Sequence, residues 1–383
     1  MKVTIAEAKK QIKNAVRTYL YKGEDGQYMM PALGRLPLYM VGSPGIGKTE
    51  IANSVAEEMG IGFVSFSLTH HTRNSLLGLP VIKELDDGRK YTEFTMSEVL
   101  AAVEKSRKAG YEEGILLLDE FNSISETIMP AMLAFLQTKN IGEFYLPEGW
   151  IIVLAGNPSE YNRSAKALDM ALLDRVRRLD IEFDEEVFVE YAREKKFYPE
   201  IVDFLETGKQ YCYVMDPSND TSEAVTARGW ENLSRTMYLY DKLEIQPDLA
   251  MVQQFIKSDR VAVAFLDYLA LNELGCTKKD IDKMVEGINH EAYAKKWGEL
   301  PARALWLLSD YLVRLLSSVC SDKKRSAMLT KNFDNVADFI ELMKSSVLKE
   351  KFFLSISKEQ AIVTRLVEEK DEAYIRLCEE FYR

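Results

Sequence analysis

The segment Gly42-Ser-Pro-Gly-Ile-Gly-Lys48-Thr49 constrains the fold of this chain more than any other stretch of its sequence. Three glycines and a proline surround one lysine, and such a cluster usually serves a backbone geometry that Cβ atoms would block. The spacing is that of a phosphate-binding P-loop, with Lys48 reaching phosphate oxygens and the Thr49 hydroxyl holding Mg²⁺. The pattern predicts nucleotide binding by Gly42, Ser43, Pro44, Gly45, Ile46, Gly47, Lys48, Thr49 and Glu50.

The flanks of this segment supply the structural context that a P-loop needs. The residues 38–41 are apolar without alternation, which is typical of a buried parallel strand. After the loop, Ile51, Val55 and Met59 recur at every fourth position, and Gly60 follows as a C-terminal cap. We therefore expect a strand, a loop and a helix, whose N-terminus adds partial positive charge to the anion site.

Composition narrows the class of protein. The 383 residues suggest two or three domains, and the net charge of −11 makes nucleic acid an unlikely main partner. The four cysteines lie far apart, which indicates a reducing cytoplasm and neither a zinc site nor a disulfide framework. No run of 18 uninterrupted apolar residues occurs, so we expect no membrane span.

Two regions of different character follow one another along the chain. Up to about residue 183, strand-like and helix-like segments alternate, which predicts a parallel sheet covered by helices. The second region is rich in Glu, Lys, Leu and Ala and is expected to be all helical, apart from a short extended piece at Phe352-Phe353-Leu354. We divide the chain into a nucleotide-binding core (1–183), a helical lid (184–320) and a C-terminal helical extension (321–383).

The strands of the core can be placed individually. A hairpin is expected from Val81 to Phe94, turning at Asp86-Asp87-Gly88, and another around Gly142 to Pro147. The expected strands of the sheet are 36–42, 63–68, 114–119, 150–156 and 178–183.

Two of these strands end in polar residues suited to catalysis. Four aliphatic residues precede Asp119 and Glu120, and ligands of open α/β sheets bind at the carboxyl ends of strands. Asp119 could hold Mg²⁺ through water, and Glu120 could orient and deprotonate an attacking water. The strand 150–156 ends at Asn157, whose amide could bind the γ-phosphate or that water.

Taken together, these motifs resemble the AAA+ ATPases, and within them the MoxR-like branch, over about residues 30–245. Gly42 to Thr49 matches Walker A, Leu116 to Glu120 matches Walker B with its catalytic glutamate, and Asn122 matches an asparagine common in this branch. By the same resemblance Asn157 is sensor 1, Arg175 the arginine finger and Arg228 the sensor-2 arginine of the lid. Arg177 and Arg178 are alternative candidates for the arginine finger. Gly229 occupies a position where the family more often has serine.

The resemblance implies a function. It predicts a parallel-sheet P-loop core with a helical lid, and a chaperone-like Mg-ATP hydrolase whose catalytic residues are Lys48, Glu120, Asn157, Arg175 and Arg228. It also implies a homo-hexameric ring that remodels or matures a protein partner, for example a von Willebrand A-type domain protein. The alternatives are a nucleic-acid-stimulated AAA+ NTPase of restriction or helicase-loader type, and a nucleotide-gated binding module that barely turns over.

Overall fold

The computed structural model describes residues 2–161, 170–215, 223–322 and 325–381. The chain divides into two compact units, Met1–Val187 and Phe188–Arg383, which we call the first and the second unit.

A six-stranded sheet forms the centre of the first unit, in the order β1-β10-β2-β9-β6-β3, and every neighbouring pair is parallel. All five strands expected for the sheet are present, and the prediction of a parallel-sheet core is confirmed. The two-residue β1 at the edge was not predicted. The strands of the unit are β1 (Lys2–Val3), β2 (Leu38–Gly42), β3 (Gly62–Ser67), β4 (Pro80–Glu84), β5 (Lys90–Phe94), β6 (Gly114–Asp119), β7 (Asn140–Ile141), β8 (Phe144–Tyr145), β9 (Trp150–Gly156) and β10 (Arg177–Ile181).

Helices cover this sheet because their apolar residues recur on one face. In the helix after the P-loop, Ile51, Ala52, Val55 and Ala56 are buried. The helices are α1 (Ile5–Tyr19), α2 (Lys48–Met59), α3 (Arg73–Leu77), α4 (Glu98–Lys108), α5 (Met129–Thr138), α6 (Met170–Leu173) and α7 (Glu185–Glu194), and the boundary between the units falls within α7.

Both expected hairpins form. β4 pairs antiparallel with β5, and Gly88 in the connecting turn has a φ of 81°, a conformation that glycine adopts without strain. β7 and β8 form the shorter hairpin. The β4–β5 hairpin is largely exposed, and its apolar Ile82 is 73% exposed.

In the described part of the second unit, the regular elements are helices apart from the short antiparallel pair β11 (Val214–Met215) and β12 (Ala224–Val225), which corrects the expectation of an all-helical region. Phe352-Phe353-Leu354 is not extended. It lies in a helix in which Leu348, Phe352 and Ile356 are buried at a spacing of four residues. The helices are α8 (Pro199–Thr207), α9 (Ala227–Leu243), α10 (Leu249–Phe255), α11 (Asp259–Glu273), α12 (Lys278–Val285), α13 (His290–Trp297), α14 (Ala302–Ser321), α15 (Leu329–Met343), α16 (Ser346–Ile356), α17 (Gln360–Glu368) and α18 (Glu372–Phe381).

By length and composition, α14 is one helix of the described chain that could cross a membrane. However, 56% of its apolar window is buried inside the fold, where it packs against α11, α15 and α16. A buried core helix passes the same test of length and apolarity, so α14 is weak evidence for a span.

Candidate active site

The P-loop has the backbone geometry that its glycines predicted. Gly45 and Gly47 have φ values of 75° and 92°, which L side chains rarely adopt. At Gly42 a Cβ atom would lie 2.4 Å from Ile46 Cδ1 and 2.9 Å from the Ile181 carbonyl oxygen. The N-cap of α2 is Gly47, which has no side chain to cap the helix, and the partial positive charge of a helix N-terminus suits an anion.

Lys48 is buried beside the loop, with 8% of its surface exposed. Its ammonium donates to the carbonyl oxygens of Gly42 and Ser43 at 2.7 and 3.0 Å. It also donates to Asn157 Oδ1 at 2.8 Å. The structure thus brings together two of the predicted site residues that are far apart in the sequence.

Thr49 and Asp119 supply adjacent oxygen atoms at the mouth of the loop. The Thr49 hydroxyl donates to Asp119 Oδ2 at 3.1 Å. A hydroxyl and a carboxylate suit Mg²⁺, which usually takes one or two protein ligands and completes its shell with phosphates and waters. Within the described ranges no group of three or more His, Cys, Asp or Glu residues could hold a metal ion. This donor set fits a nucleotide-bound Mg²⁺ better than a protein-only metal cage.

Glu120 has a left-handed backbone conformation, with φ of 57° and ψ of 32°. Its Oε2 accepts hydrogen bonds from the Ser67 hydroxyl at 2.9 Å and from the Thr69 hydroxyl. Sequence reasoning missed both hydroxyls. They meet Glu120 because β3 and β6 are neighbours in register, with Ser67 opposite Asp119. Only the order of the strands would have revealed the contact.

Asn122 and Asn157 meet across the ends of two neighbouring strands. Asn122 Nδ2 donates to the carbonyl oxygen of Asn157 at 2.6 Å, and the Asn157 N–H donates to Asn122 Oδ1 at 3.3 Å. Asn122 is buried, with 4% of its surface exposed. The asparagine carried over by resemblance therefore has a definite contact in this chain.

The candidate arginine fingers stand close together in the sequence but in different settings. Arg175 precedes β10 and is half-buried. Arg177 donates to the Tyr19 hydroxyl at 3.3 Å and lies over the ring of that tyrosine. Arg178 pairs with Asp180 on its own strand at 2.6 Å.

Arg228 belongs to the second unit, where it lies exposed in the first turn of α9. Thr226 caps this helix by accepting a hydrogen bond from the Gly229 N–H at 3.1 Å. A Cβ atom at Gly229 would lie 2.6 Å from the Phe255 carbonyl oxygen. This close approach explains a glycine where the resembled family more often has serine.

The P-loop and the polar strand ends lie in a segment that matches a known domain. The family model described as "ATPase family associated with various cellular activities (AAA)" matches residues 38–186. Residues 38–186 are an AAA ATPase domain. The AAA domain runs from β2 into α7 and contains every predicted site residue except Arg228.

Among the proteins similar to this chain are a curated relative and a solved structure. A Lon protease from Metamycoplasma arthritidis (strain 158L3-1) is 28% identical over 136 residues, which are 33% of this chain and 15% of that protein. The chain therefore spans a small part of the length of this relative. The solved structure of a "putative ATPase" from Cytophaga hutchinsonii has a TM-score of 0.32 and 19% identity, covering 50% of this chain and 57% of that one.

Proposed function

We propose that this chain is a MoxR-like AAA+ ATPase that hydrolyses Mg-ATP and uses the energy to remodel or mature a protein partner. The observation that carries the proposal is the convergence of Lys48, Asn157 and the Thr49–Asp119 pair at one P-loop. An AAA domain supports ATP hydrolysis. The branch, the partner and the ring are carried by the sequence resemblance.

The chemistry follows from what each side chain can do. Lys48 would hold the β- and γ-phosphate oxygens, and Thr49 with Asp119 would hold Mg²⁺, which neutralises phosphate charge when it is bound. Glu120 would orient the attacking water and accept its proton, a role worth about 10²–10⁴-fold in rate. Ser67 and Thr69 hold the same carboxylate, so these hydroxyls would influence how readily it accepts the proton.

The catalytic step is tested by phosphate release in a steady-state assay with Mg-ATP. The same assay with added DNA tests the nucleic-acid alternative, which a large stimulation would favour over our proposal. ATP-loaded Glu120→Gln protein should retain a bound protein partner, identified by mass spectrometry against the Lys48→Ala variant as control. Failure of the wild-type chain to release phosphate would refute the proposal at its base.

The ring proposal concerns Arg175 and Arg228. We propose that Arg175 acts on the ATP of an adjacent subunit of a hexamer, and that Arg228 acts on the ATP of its own subunit. The choice of Arg175 rests on the sequence resemblance; Arg177 contacts Tyr19, and Arg178 pairs with Asp180. An arginine finger contributes about 10³–10⁵-fold to turnover and little to ground-state binding.

Mixing two inactive variants separates these roles. In a mixed ring, an Arg175→Ala subunit keeps Arg228 and can use the Arg175 of a neighbouring Arg228→Ala subunit, so activity should return. Light scattering confirms that the rings are intact. No recovery in any mixture would place both arginines in the same active site.

We propose that the β4–β5 hairpin contacts the protein partner. Its exposed apolar side chains include Val81, Ile82 and Phe94, at 42%, 73% and 44% exposure. Shortening the hairpin should leave basal phosphate release nearly unchanged and abolish partner remodelling. An equal loss of both activities would mean that the hairpin only stabilises the core.

A further inference from the structure

The side-chain amide of Asn122 bonds both main-chain groups of one residue. Its Nδ2 donates to the Asn157 carbonyl oxygen at 2.6 Å, while its Oδ1 accepts from the Asn157 N–H at 3.3 Å. Asn122 lies in the turn after β6, and Asn157 directly follows β9, the neighbouring strand. This two-point contact fixes the position of the Asn157 main chain relative to the end of β6.

Fixing that main chain directs the side chain of Asn157. Its Oδ1 accepts from the Lys48 ammonium at 2.8 Å, so a continuous path of hydrogen bonds joins Asn122 to the P-loop lysine. The packing is close at Gly156, where a Cβ atom would lie 2.5 Å from both Asn122 Oδ1 and the Tyr39 hydroxyl. The glycine before Asn157 is therefore part of the same arrangement.

We propose that Asn122 is a positioning residue for ATP hydrolysis, acting through Asn157. It holds the Asn157 side chain next to the Lys48 ammonium, where the terminal phosphate and the attacking water would lie. This inference rests on the proposed function, because it assigns Asn122 a part in the same reaction. Small displacements of such groups are costly, since a shift of about 1 Å can cost about 100-fold in rate.

An amide suits this position for a specific chemical reason. Asn157 presents one acceptor and one donor, and the planar amide of Asn122 offers a matching donor and acceptor, which an ionised carboxylate does not. A carboxylate of equal size keeps the acceptor but turns a second oxygen toward the Asn157 carbonyl. Asn122→Asp therefore breaks one of the two bonds with almost no change of volume.

The first test compares Asn122→Asp with Asn53→Asp, a matched change at a half-buried asparagine on α2 that bonds Glu57. We expect Asn122→Asp to lower kcat by about 10–100-fold while the Kd for ATP changes by less than about twofold. Asn53→Asp should leave both values unchanged. A kcat within about twofold of wild type, or an equal loss in affinity, would overturn the proposal.

The second test uses pH, which a merely structural role would not affect in the same way. A protonated carboxyl regains a donor, so the ratio of mutant to wild-type kcat should rise as the pH falls from 8 to about 5.5. Charged and titratable groups of the surrounding elements include Tyr39, Lys48, Asp119 and Glu120, and Arg178 and Asp180 of β10 act on Tyr39. The wild-type profile, measured in parallel, corrects for their own titration. A flat ratio would contradict the assigned role.

The third test does not depend on turnover. Asn122→Ala removes the acceptor of the Asn157 N–H, so the hydrogen exchange of this amide should accelerate by about tenfold or more, with Asn53→Ala as control. Unchanged exchange would overturn the contact itself. If the wild-type chain releases no phosphate, the proposed function fails, and the exchange rate still decides whether Asn122 fixes Asn157.

Discussion

The two ends of the central sheet each hold a buried lysine, and the two residues differ in what surrounds them. At the carboxyl end, Lys48 donates to three oxygen atoms, one of them from Asn157. At the amino end, Lys139 donates to the Leu136 carbonyl oxygen at 2.5 Å and lines a small cavity together with Arg35 and Trp150.

The two lysines are almost equally buried, at 8% and 7% exposure for Lys48 and Lys139. Burial, with a contribution from the charge of Arg35, lowers the pKa of Lys139 to about 8. Lys48, in contrast, lies beside the Thr49–Asp119 pair and at the N-terminus of α2, where Gly47 is the N-cap. Burial of a lysine is therefore no sign of function by itself, and the surrounding acceptors distinguish the two cases.

The largest expected effect separates the two lysines directly. Lys48→Ala should abolish tight ATP binding, because it removes the charge that meets the β- and γ-phosphates. Lys139→Ala, at the opposite end of the sheet, should bind ATP like wild type. Titration with a fluorescent ATP analogue measures both. Unchanged affinity in Lys48→Ala would refute the site assignment.

The next effect compares two glutamates at the ends of β6. Glu120→Gln should bind ATP normally and lose about 10²-fold or more in turnover, since the amide keeps the shape and loses the base. Glu113→Gln, directly before the strand, removes a carboxylate that accepts from the Tyr28 hydroxyl and should leave turnover unchanged. A loss below about threefold in Glu120→Gln would mean that another residue activates the water.

A smaller effect is expected on stability and its pH dependence. The unfolded chain has a lysine pKa of about 10.4, so between pH 8 and about 10.4 it binds a proton that folded Lys139 does not. The destabilisation caused by the buried charge of Lys139 therefore decreases as the pH rises across that window, and the free energy of unfolding increases. Lys139→Met should raise the free energy of unfolding at pH 7 by about 1–2 kcal/mol and remove the rise.

Denaturant unfolding at several pH values measures this effect. The gain should vanish above about pH 10.4, where the ammonium is neutral in both states. A destabilised Lys139→Met variant would instead show that the bond to Leu136 outweighs the cost of the buried charge.

The smallest effect concerns the hydroxyls that hold Glu120. Ser67→Ala combined with Thr69→Val should raise basal turnover by about two- to fivefold. Each hydrogen bond stabilises the Glu120 carboxylate by about 0.5–1.5 kcal/mol, so its loss makes the carboxylate a stronger base. Ser65→Ala, at an exposed position of the same strand, serves as control. A fall in turnover would show that the hydroxyls orient Glu120 for catalysis.

The carboxyl end of the sheet was largely predictable from the sequence, and the amino end was not. Glycine spacing and apolar runs that end in polar residues led to the prediction of Lys48, Asp119 and Asn157, which the structure places together at this end, since both signals are local. The contacts of Ser67 with Glu120 depend on which strands are neighbours, and no local pattern encodes that order. Lys139 has no distinguishing sequence context at all.

The errors in the second unit have a similar cause. Phe352-Phe353-Leu354 has the apolar run of a buried strand, but its helical neighbours Leu348 and Ile356 complete a buried face in α16. A short apolar run fits a strand or a helix, and the helical spacing of the buried residues on either side distinguishes the two. The two-residue strands β11 and β12 are too short to leave any periodicity.

The tight approach of Phe255 to Gly229 has an evolutionary consequence. Serine at position 229 would place its Cβ 2.6 Å from the Phe255 carbonyl oxygen, so Gly229→Ser alone should strain the backbone. The backbone after α10 would have to move first or at the same time. We therefore expect serine at this position only in chains whose backbone follows a different path around Phe255.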